Sequence, residues 1–322
     1  MTISLVECKE KESWNQFVKN SPQGTVFCST LFLDALGEDY DLLLLEDDEG
    51  IPQIGTIVIK RDDKPICAPY PDAMYHGILY NESFYKQPFE SRVRKGLELT
   101  DSLLTLMAEK YDRISFFHHH SIDDLRSFKW FNYHTPEKGR FQIELWYTGI
   151  IDLQPFKNFY EYLPVIRKVR RREYRYALKD NLIIEPSEDI DLLNRLNELT
   201  FERQGIHRKP EEERLLCSIA KAAIQHKFGQ LFIGRTATGE PVSATLFVHD
   251  DHCGYYVIGG NDPDFRKSYG GTLIMLENIR YCIDKGIKMV DFGGINSPNR
   301  GDFKISFNAK PVSYFITTWN RP

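Results

Sequence analysis

One ordered stretch in the last third of the chain constrains the fold more than any other feature. Its first strand alternates apolar and polar residues, and a glycine-bearing loop leads into a helix whose apolar residues recur at i+3 or i+4 spacing. This order of hairpin, loop, helix and strand predicts an α+β domain in which the glycine-bearing loop leads directly into a helix. The predicted elements are strands Val242–His249 and Tyr255–Ile258, loop Phe265–Thr272, helix Leu273–Lys285 and strand Lys288–Phe292.

The loop has the composition of an anion site. The first four N–H groups of a helix lack intrahelical partners, and the helix dipole adds positive potential there. Gly270 and Gly271 would let a ligand approach the backbone closely, and Arg266 and Lys267 bring positive charge to the same place. A plain helix entry with turn glycines is an equal alternative for the loop alone.

The whole stretch resembles the core of a GNAT-type N-acyltransferase domain, and within that superfamily the FemAB-like and CelD(BcsL)-like branch. The resemblance rests on GEPVSATLFVHDDHCGYYVIGG, on FRKSYGGT, on DFGG at 291–294 and on the FK-x-x-F pattern of Phe303, Lys304 and Phe307. The GNAT pyrophosphate loop reads Q/R-x-x-G-x-G/A. Lys267, Gly270 and Thr272 occupy those positions here, so the chain departs from the pattern at the first and last of them.

The resemblance implies an α+β fold of two tandem GNAT-like domains, each a mixed, mostly antiparallel sheet flanked by helices. We expect the domains over residues 1–160 and 161–322. The first half repeats the order of hairpin, helix and strand, but it lacks a glycine loop before its helix. Its Pro- and Tyr-rich stretch, Pro65–Pro88, is expected to form loops over a cleft. The donor site is therefore expected in the second domain only.

The resemblance also implies a reaction, the transfer of an acyl group from acyl-CoA, such as acetyl-CoA, to an amine. In this family a backbone N–H on a splayed strand polarises the thioester, which assigns Val257 or Ile258 as oxyanion donors. The predicted donor-binding residues are Val257, Ile258, Arg266, Lys267, Tyr269, Gly270, Gly271 and Thr272. Lys304 matches the lysine that lies near the donor's phosphate or carbonyl in the aminoacyltransferase relatives.

Acyl transfer to an amine also needs a group that takes a proton. Asp291, at a strand end before two glycines, is the predicted base, although acids at strand ends also serve as caps. Glu202, His249 and Tyr256 are alternatives. The predicted catalytic residues are Asp291, Tyr256 and Lys304.

A strongly basic helix is predicted after Pro164, with Arg167, Arg171, Arg175 and Lys179 in a stripe at i+4 spacing and Ile166, Val169 and Tyr176 on another face. Such charge runs are usually solvated helix faces. The functional alternative is a basic wall for a phosphate-bearing substrate, namely coenzyme A, a lipid-linked pyrophosphate or a tRNA backbone. The predicted substrate-binding residues are Arg171, Arg175 and Arg203. Arg203 lies in a segment that resembles the family's helix end near the acceptor channel.

Composition and residue spacing indicate the compartment of the protein and argue against some classes of ligand. A net charge of −5 argues against a surface dedicated to coating nucleic acid, and no apolar run is long enough to cross a membrane. The six cysteines lack C-x-x-C spacing, and the first residues carry no apolar signal core, so we expect free thiols in the cytoplasm. His118, His119 and His120 follow a strand and would alternate faces, so no metal site is predicted.

Three functions remain open. The first is acyl-CoA-dependent acylation of a small-molecule or lipid-linked amine in cell-envelope or polysaccharide metabolism. The second is Fem-type, aminoacyl-tRNA-dependent transfer onto a peptidoglycan precursor. Between residues 191 and 230 the chain has no room for the helical hairpin of those enzymes, which favours a coenzyme A donor. The third is a GNAT-like module that binds without catalysis.

Overall fold

The computed structural model describes residues 3–61, 64–66, 73–203 and 205–322. The chain forms two compact units, Met1–Trp146 with Ser313–Pro322, and Tyr147–Val312. This division differs from the expected one after residue 160 in two respects. The second unit begins 14 residues earlier than expected (161 against 147), and the last ten residues of the chain return to the first unit.

The first unit contains an antiparallel sheet ordered β1-β2-β3-β4, with β5 also paired to β3. A second pairing joins β6 to the last strand of the chain, also antiparallel. The long helix α4 buries Leu99, Leu103 and Met107 in the core of this unit, because these residues recur at i+4 spacing. Its elements are β1 Ser4–Glu7, α1 Lys11–Asn20, α2 Thr30–Ala35, β2 Asp39–Glu46, β3 Pro52–Arg61, β4 Lys64–Ile66, β5 Leu79–Tyr80, α3 Glu82–Tyr85, α4 Phe89–Lys110, β6 Arg113–Phe117 and α5 Arg126–Trp130.

The second unit contains the strand order β7-β12-β11-β10-β9-β8. All of these pairings are antiparallel except that of β11 with β12, which is parallel, so the sheet is mixed. Its elements, with the two strands that also belong to the first unit, are β7 Gln142–Asp152, α6 Phe159–Tyr162, α7 Lys168–Lys179, β8 Ile183–Ser187, α8 Ile190–Glu202, α9 Pro210–Gln225, β9 Gly229–Arg235, β10 Pro241–His249, β11 Cys253–Asn261, α10 Gly270–Asp284, β12 Met289–Gly294, α11 Pro298–Ile305 and β13 Lys310–Asn320.

The structure confirms the predicted α+β class. Helix α10 packs on the sheet through Leu273, Leu276, Ile279 and Cys282, which repeat at helical spacing and are all buried. The stretch Pro65–Pro88 lies partly outside the described residues. Its described part contains β5 and α3 besides irregular backbone.

Within the described residues, no helix is long and apolar enough to cross a bilayer, and no group of three or more His, Cys, Asp and Glu side chains is placed to hold a metal ion. His118 is fully buried at the end of β6, and its Nε2 lies 2.9 Å from the Thr317 hydroxyl.

Candidate active site

Two neighbouring strands part at the centre of the second unit. Strand β11 pairs in parallel with β12 only as far as Tyr255 and Asp291, yet β11 continues to Asn261 and β12 to Gly294. On its other side β11 carries a β-bulge, because Tyr256 faces Phe247 of β10 and Ile258 faces the adjacent Leu246. Val257 is therefore the extra residue, and such a residue bends its strand. The bend opens an edge of β11 from Val257 onward.

Strand β12 is also irregular beside the opening. The pairing of β12 with β7 shifts register between Asp291 and Gly294. The buried Asp291 carboxylate spans this shift, accepting hydrogen bonds from the Thr148 hydroxyl and from the Gly293 N–H, the latter at 2.7 Å. Asp291 thus holds the local backbone, as a cap would, while its charge lies next to the opening.

Lys304 and Tyr256 meet at the opening between the two strands. The Lys304 ammonium lies 5.4 Å from the centre of the Tyr256 ring and donates a hydrogen bond of 3.0 Å to the Gly294 carbonyl. Burial lowers the pKa of Lys304 to about 8, the negative charge of Asp291 opposes this shift, and Arg300 adds to it. Burial raises the pKa of Tyr256 to about 12. The structure therefore brings together the three residues predicted to be catalytic.

Lys304 lies on a helix, because residues 298–305 form α11. Pro298 occupies the first turn, where its missing N–H costs nothing. Phe303 and Phe307 belong to the core of the second unit and stack edge to face at 5.1 Å, which points Lys304 away from that core and toward β12.

The glycines lie inside the first turn of α10, and not in a loop as predicted. Residues 263–268 form a turn of 3-10 helix, and Tyr269 adopts a left-handed conformation (φ 62°) that starts the α-helix at Gly270. A Cβ at Gly270 would lie 2.8 Å from a methyl of Val242, and one at Gly271 would lie 2.9 Å from the Asn261 side chain. Glycine is required here because the helix start packs tightly against β10 and β11.

The remaining predicted donor residues surround this helix start. Arg266 and Lys267 are exposed on the preceding 3-10 turn, while Tyr269 is half-buried with its ring 5.9 Å from that of Tyr176. Val257 is half-buried, and Ile258 is buried. The helix dipole and the two cations favour an anion at this end of α10.

Arg170 is a site residue that sequence reasoning missed. Its guanidinium donates to Glu173 at 2.5 Å and to the Thr272 hydroxyl at 3.0 Å, and it lies 4.7 Å from the centre of the Phe303 ring. Thr272 in turn donates to Glu173 at 2.6 Å. Arg170 therefore joins the start of α10 to the helix that carries Lys304, and the Thr272 hydroxyl is engaged in this contact.

The basic helix α7 is oriented differently from the prediction. Its buried face follows Arg170, Tyr174 and Ala177, whereas Tyr176, predicted on the apolar face, is 45% exposed. The most outward cations are Lys168, Arg172, Arg175 and Lys179.

The predicted substrate-binding arginines lie on α7 and at the end of α8. Arg175 is exposed, Arg171 is half-buried, and Arg203 is exposed at the end of α8.

Comparison with known proteins agrees with this geometry. Residues 165–304 match the family model for an acetyltransferase (GNAT) domain. No curated protein matches the chain.

Several solved structures share the fold. FemX aligns with a TM-score of 0.68 at 14% identity, over 98% of this chain and 97% of its own. A tandem GNAT protein from the clavulanic acid biosynthesis pathway aligns with a TM-score of 0.55 at 11% identity, over 99% and 98%. The C-terminal domain of a putative lysylphosphatidylglycerol synthetase from Agrobacterium fabrum aligns with a TM-score of 0.54 at 10% identity, over 96% and 91%. Residues 165–304 are thus similar to a GNAT acetyltransferase domain, and nearly the whole chain shares the fold of these solved structures.

Proposed function

We propose that the protein is an N-acyltransferase that moves an acyl group from acyl-CoA to an amine acceptor. The observation that carries the proposal is the half-buried lysine, Lys304, held over Tyr256 where β11 and β12 part. An opening beside an unpaired strand edge gives a thioester carbonyl access to backbone N–H groups. The helix start at Gly270, with Arg266 and Lys267, supplies positive potential for the donor's phosphates.

The pKa values favour distinct tasks for the two side chains. At pH 7 a lysine of pKa about 8 is neutral in about one molecule in ten, so Lys304 can take a proton from the attacking amine. Tyr256, with a pKa of about 12, keeps its proton at pH 7 and can therefore donate a hydrogen bond.

In the proposed reaction, Lys304 carries a proton from the attacking nitrogen to the departing thiolate. The acceptor nitrogen attacks the thioester carbon, a C–N bond forms, and the C–S bond breaks. The proton that leaves the nitrogen passes to Lys304, whose ammonium then has a pKa close to the ~8.5 of a thiol and can return the proton to the departing thiolate. The backbone N–H of Val257 would stabilise the oxyanion, because the ladder pattern turns the N–H of Ile258 toward β10. The Asp291 charge would favour the protonated lysine.

Donor binding is tested first, by thermal stability with coenzyme A, acetyl-CoA and longer acyl-CoAs. A ligand at 100 times its dissociation constant should stabilise the native state by about 2.7 kcal/mol. The double variant Arg266→Glu/Lys267→Glu should lose most of this shift, and Lys221→Glu, which reverses an exposed charge on α9, should keep it. A shift that is the same in both variants would show that the ligand does not bind at α10.

Turnover is tested by thiol release from the same donors with a panel of amines. We expect Lys304→Met to retain donor binding and to lose turnover. Binding by the wild-type protein without turnover on any amine would favour the module that binds without catalysis. On the basis of the scattered thiols we place the reaction in the cytoplasm, with a small-molecule or lipid-linked amine of cell-envelope or polysaccharide metabolism as acceptor.

A second candidate is aminoacyl-tRNA-dependent transfer, favoured by the exposed stripe on α7. Lys168, Arg172, Arg175 and Lys179 lie opposite the buried face of that helix, as expected of a surface that contacts a phosphate backbone. Binding of aminoacyl-tRNA that weakens with salt, and that Arg172→Glu/Arg175→Glu abolishes, would support this candidate if no acyl-CoA binds.

A further inference from the structure

The edge of β11 beyond the bulge turns its backbone groups away from β10. The N–H of Asp262 donates to the Val242 carbonyl at 3.0 Å, which makes Asn261 and Ser243 a non-hydrogen-bonded pair in the antiparallel ladder. The N–H and C=O groups of Asn261 therefore point to the open side of β11. Because the pattern repeats every second residue, those of Gly259 point to the same side.

Helix α8 covers these outward groups. The Asn197 amide donates to the Gly259 carbonyl at 2.9 Å. The Asn261 N–H donates to the Thr200 hydroxyl at 2.9 Å, and the same hydroxyl lies 3.3 Å from the Asn261 carbonyl. This close contact with α8 is possible because Gly260 has no side chain, since a Cβ there would lie 2.3 Å from the backbone of Asn197.

These bonds lie on the path that a donor would take. The start of α10, where the donor's phosphates are proposed to bind, adjoins the Asn261 side chain, and the acyl carbonyl is proposed to reach Val257. An extended arm between these points would run beside four residues of β11, about 13 Å at the usual rise of a strand. Such an arm normally bonds to the free backbone groups of the strand edge, but here Asn197 and Thr200 already occupy them.

We infer that Asn197 and Thr200 hold the donor edge of β11 closed, and that a donor arm binds by replacing their hydrogen bonds. The inference rests on the proposed function, since it concerns the acyl-CoA arm at the same site. It also specifies the donor's chemistry. To replace these bonds, the arm must bring an N–H to the Gly259 carbonyl and an acceptor to the Asn261 N–H, as the amide groups of a pantetheine arm can.

The test is calorimetric titration of coenzyme A into the wild-type protein and matched variants. Asn197→Ala and the nearly isosteric Thr200→Val each remove a bond that the donor would otherwise have to break. Each variant should therefore bind coenzyme A about fivefold more tightly, from about 1 kcal/mol for one neutral hydrogen bond. Asn194→Ala is the control, because Asn194 lies one turn earlier on α8 and bonds to Glu213 and Arg208 instead of β11.

The outcomes separate the two proposals. Tighter binding in Asn197→Ala and Thr200→Val, with Asn194→Ala unchanged, supports the closed edge. Wild-type binding that neither variant strengthens overturns the closed edge alone and leaves the acyl-CoA function standing. If no protein binds, including the Asn197→Ala/Thr200→Val double variant with its edge opened, both proposals fail. Thr200→Val keeps the shape of the side chain, so its result holds even if Asn197→Ala unfolds.

Discussion

Replacing Lys304 by methionine should make the protein more stable at neutral pH while removing the proposed acyl transfer. Lys304 has a pKa of about 8 in the folded protein, against 10.5 for an ordinary lysine, because burial penalises its charge. A difference of about 2.5 pKa units corresponds to about 3 kcal/mol of unfavourable free energy when the lysine is charged. Methionine has a similar shape without the charge.

The lost hydrogen bond sets the net size of the effect. Lys304 donates to the Gly294 carbonyl, and this bond contributes about 1–2 kcal/mol to the folded state. The net gain for Lys304→Met is therefore about 1–2 kcal/mol at pH 7. In a unit of this size each kcal/mol raises the melting temperature by roughly 2–4 °C.

The effect must also depend on pH with a defined sign. Below pH 8 the lysine is protonated in both the folded and the unfolded state, so the full penalty is present. Between pH 8 and 10.5 the unfolded state binds more protons than the folded state, and the stability of the wild-type protein rises with pH relative to the variant. The advantage of Lys304→Met should thus shrink steadily above pH 8.

The assay is a thermal melt of both proteins at pH 7.0 and pH 9.5, with Lys310→Met as control because Lys310 is exposed on β13. Since other groups titrate in this range, only the difference between the variant and the wild-type protein is compared. A variant that is less stable at pH 7, or whose advantage is the same at both pH values, would refute the reasoning that burial holds Lys304 at a low pKa.

Three further outcomes follow from the described contacts. Burial lowers the pKa of His118 to about 3 and that of His76 to about 4. The unfolded state therefore binds more protons, and the first unit should lose stability as the pH falls below 6.5. In thermal melts between pH 7 and 4.5, His118→Gln should lose less stability than the wild-type protein. Gly260→Ala should destabilise the second unit by about 2–3 kcal/mol in a urea melt, because its Cβ would meet the backbone of α8, and an unchanged midpoint would contradict this reasoning. Thr272→Val should cost about 1–2 kcal/mol, through the broken bonds to Arg170 and Glu173, and an unchanged melting temperature would contradict that estimate.

The sequence predicted those parts of the fold that depend on periodicity. Strands β10 and β11 and helix α10 were expected within a few residues of their observed ends, since alternation and i+4 spacing are set by burial of one face. The start of α10 was placed three residues late, at Leu273 instead of Gly270, because glycines suggest a loop. Here they permit close packing of the helix.

The parts that failed depend on contacts between distant segments. Arg170 lies in a run of basic residues that looks solvated, and only the fold brings Thr272 and Phe303 to it, 102 and 133 residues further along. The one available signal was its i+4 spacing to Ile166 and Tyr174, both buried. The bulge at Val257 and the hydrogen bond of Asn197 leave no pattern in the sequence. Both depend on backbone groups of another strand or helix, and every residue type carries those groups.

The extra residue at Val257 has a consequence for how such a protein can evolve. Because of it, Tyr256 and Ile258 face opposite sides of the sheet although they are two positions apart. The phenol of Tyr256 leans over Gly259, while Gly260, on the other side, receives α8. Losing Val257 would restore unbroken alternation without disturbing the partners of the residues beyond it. A single codon deletion should then straighten β11 and narrow the gap in which the donor is proposed to bind, without replacing any side chain at the site.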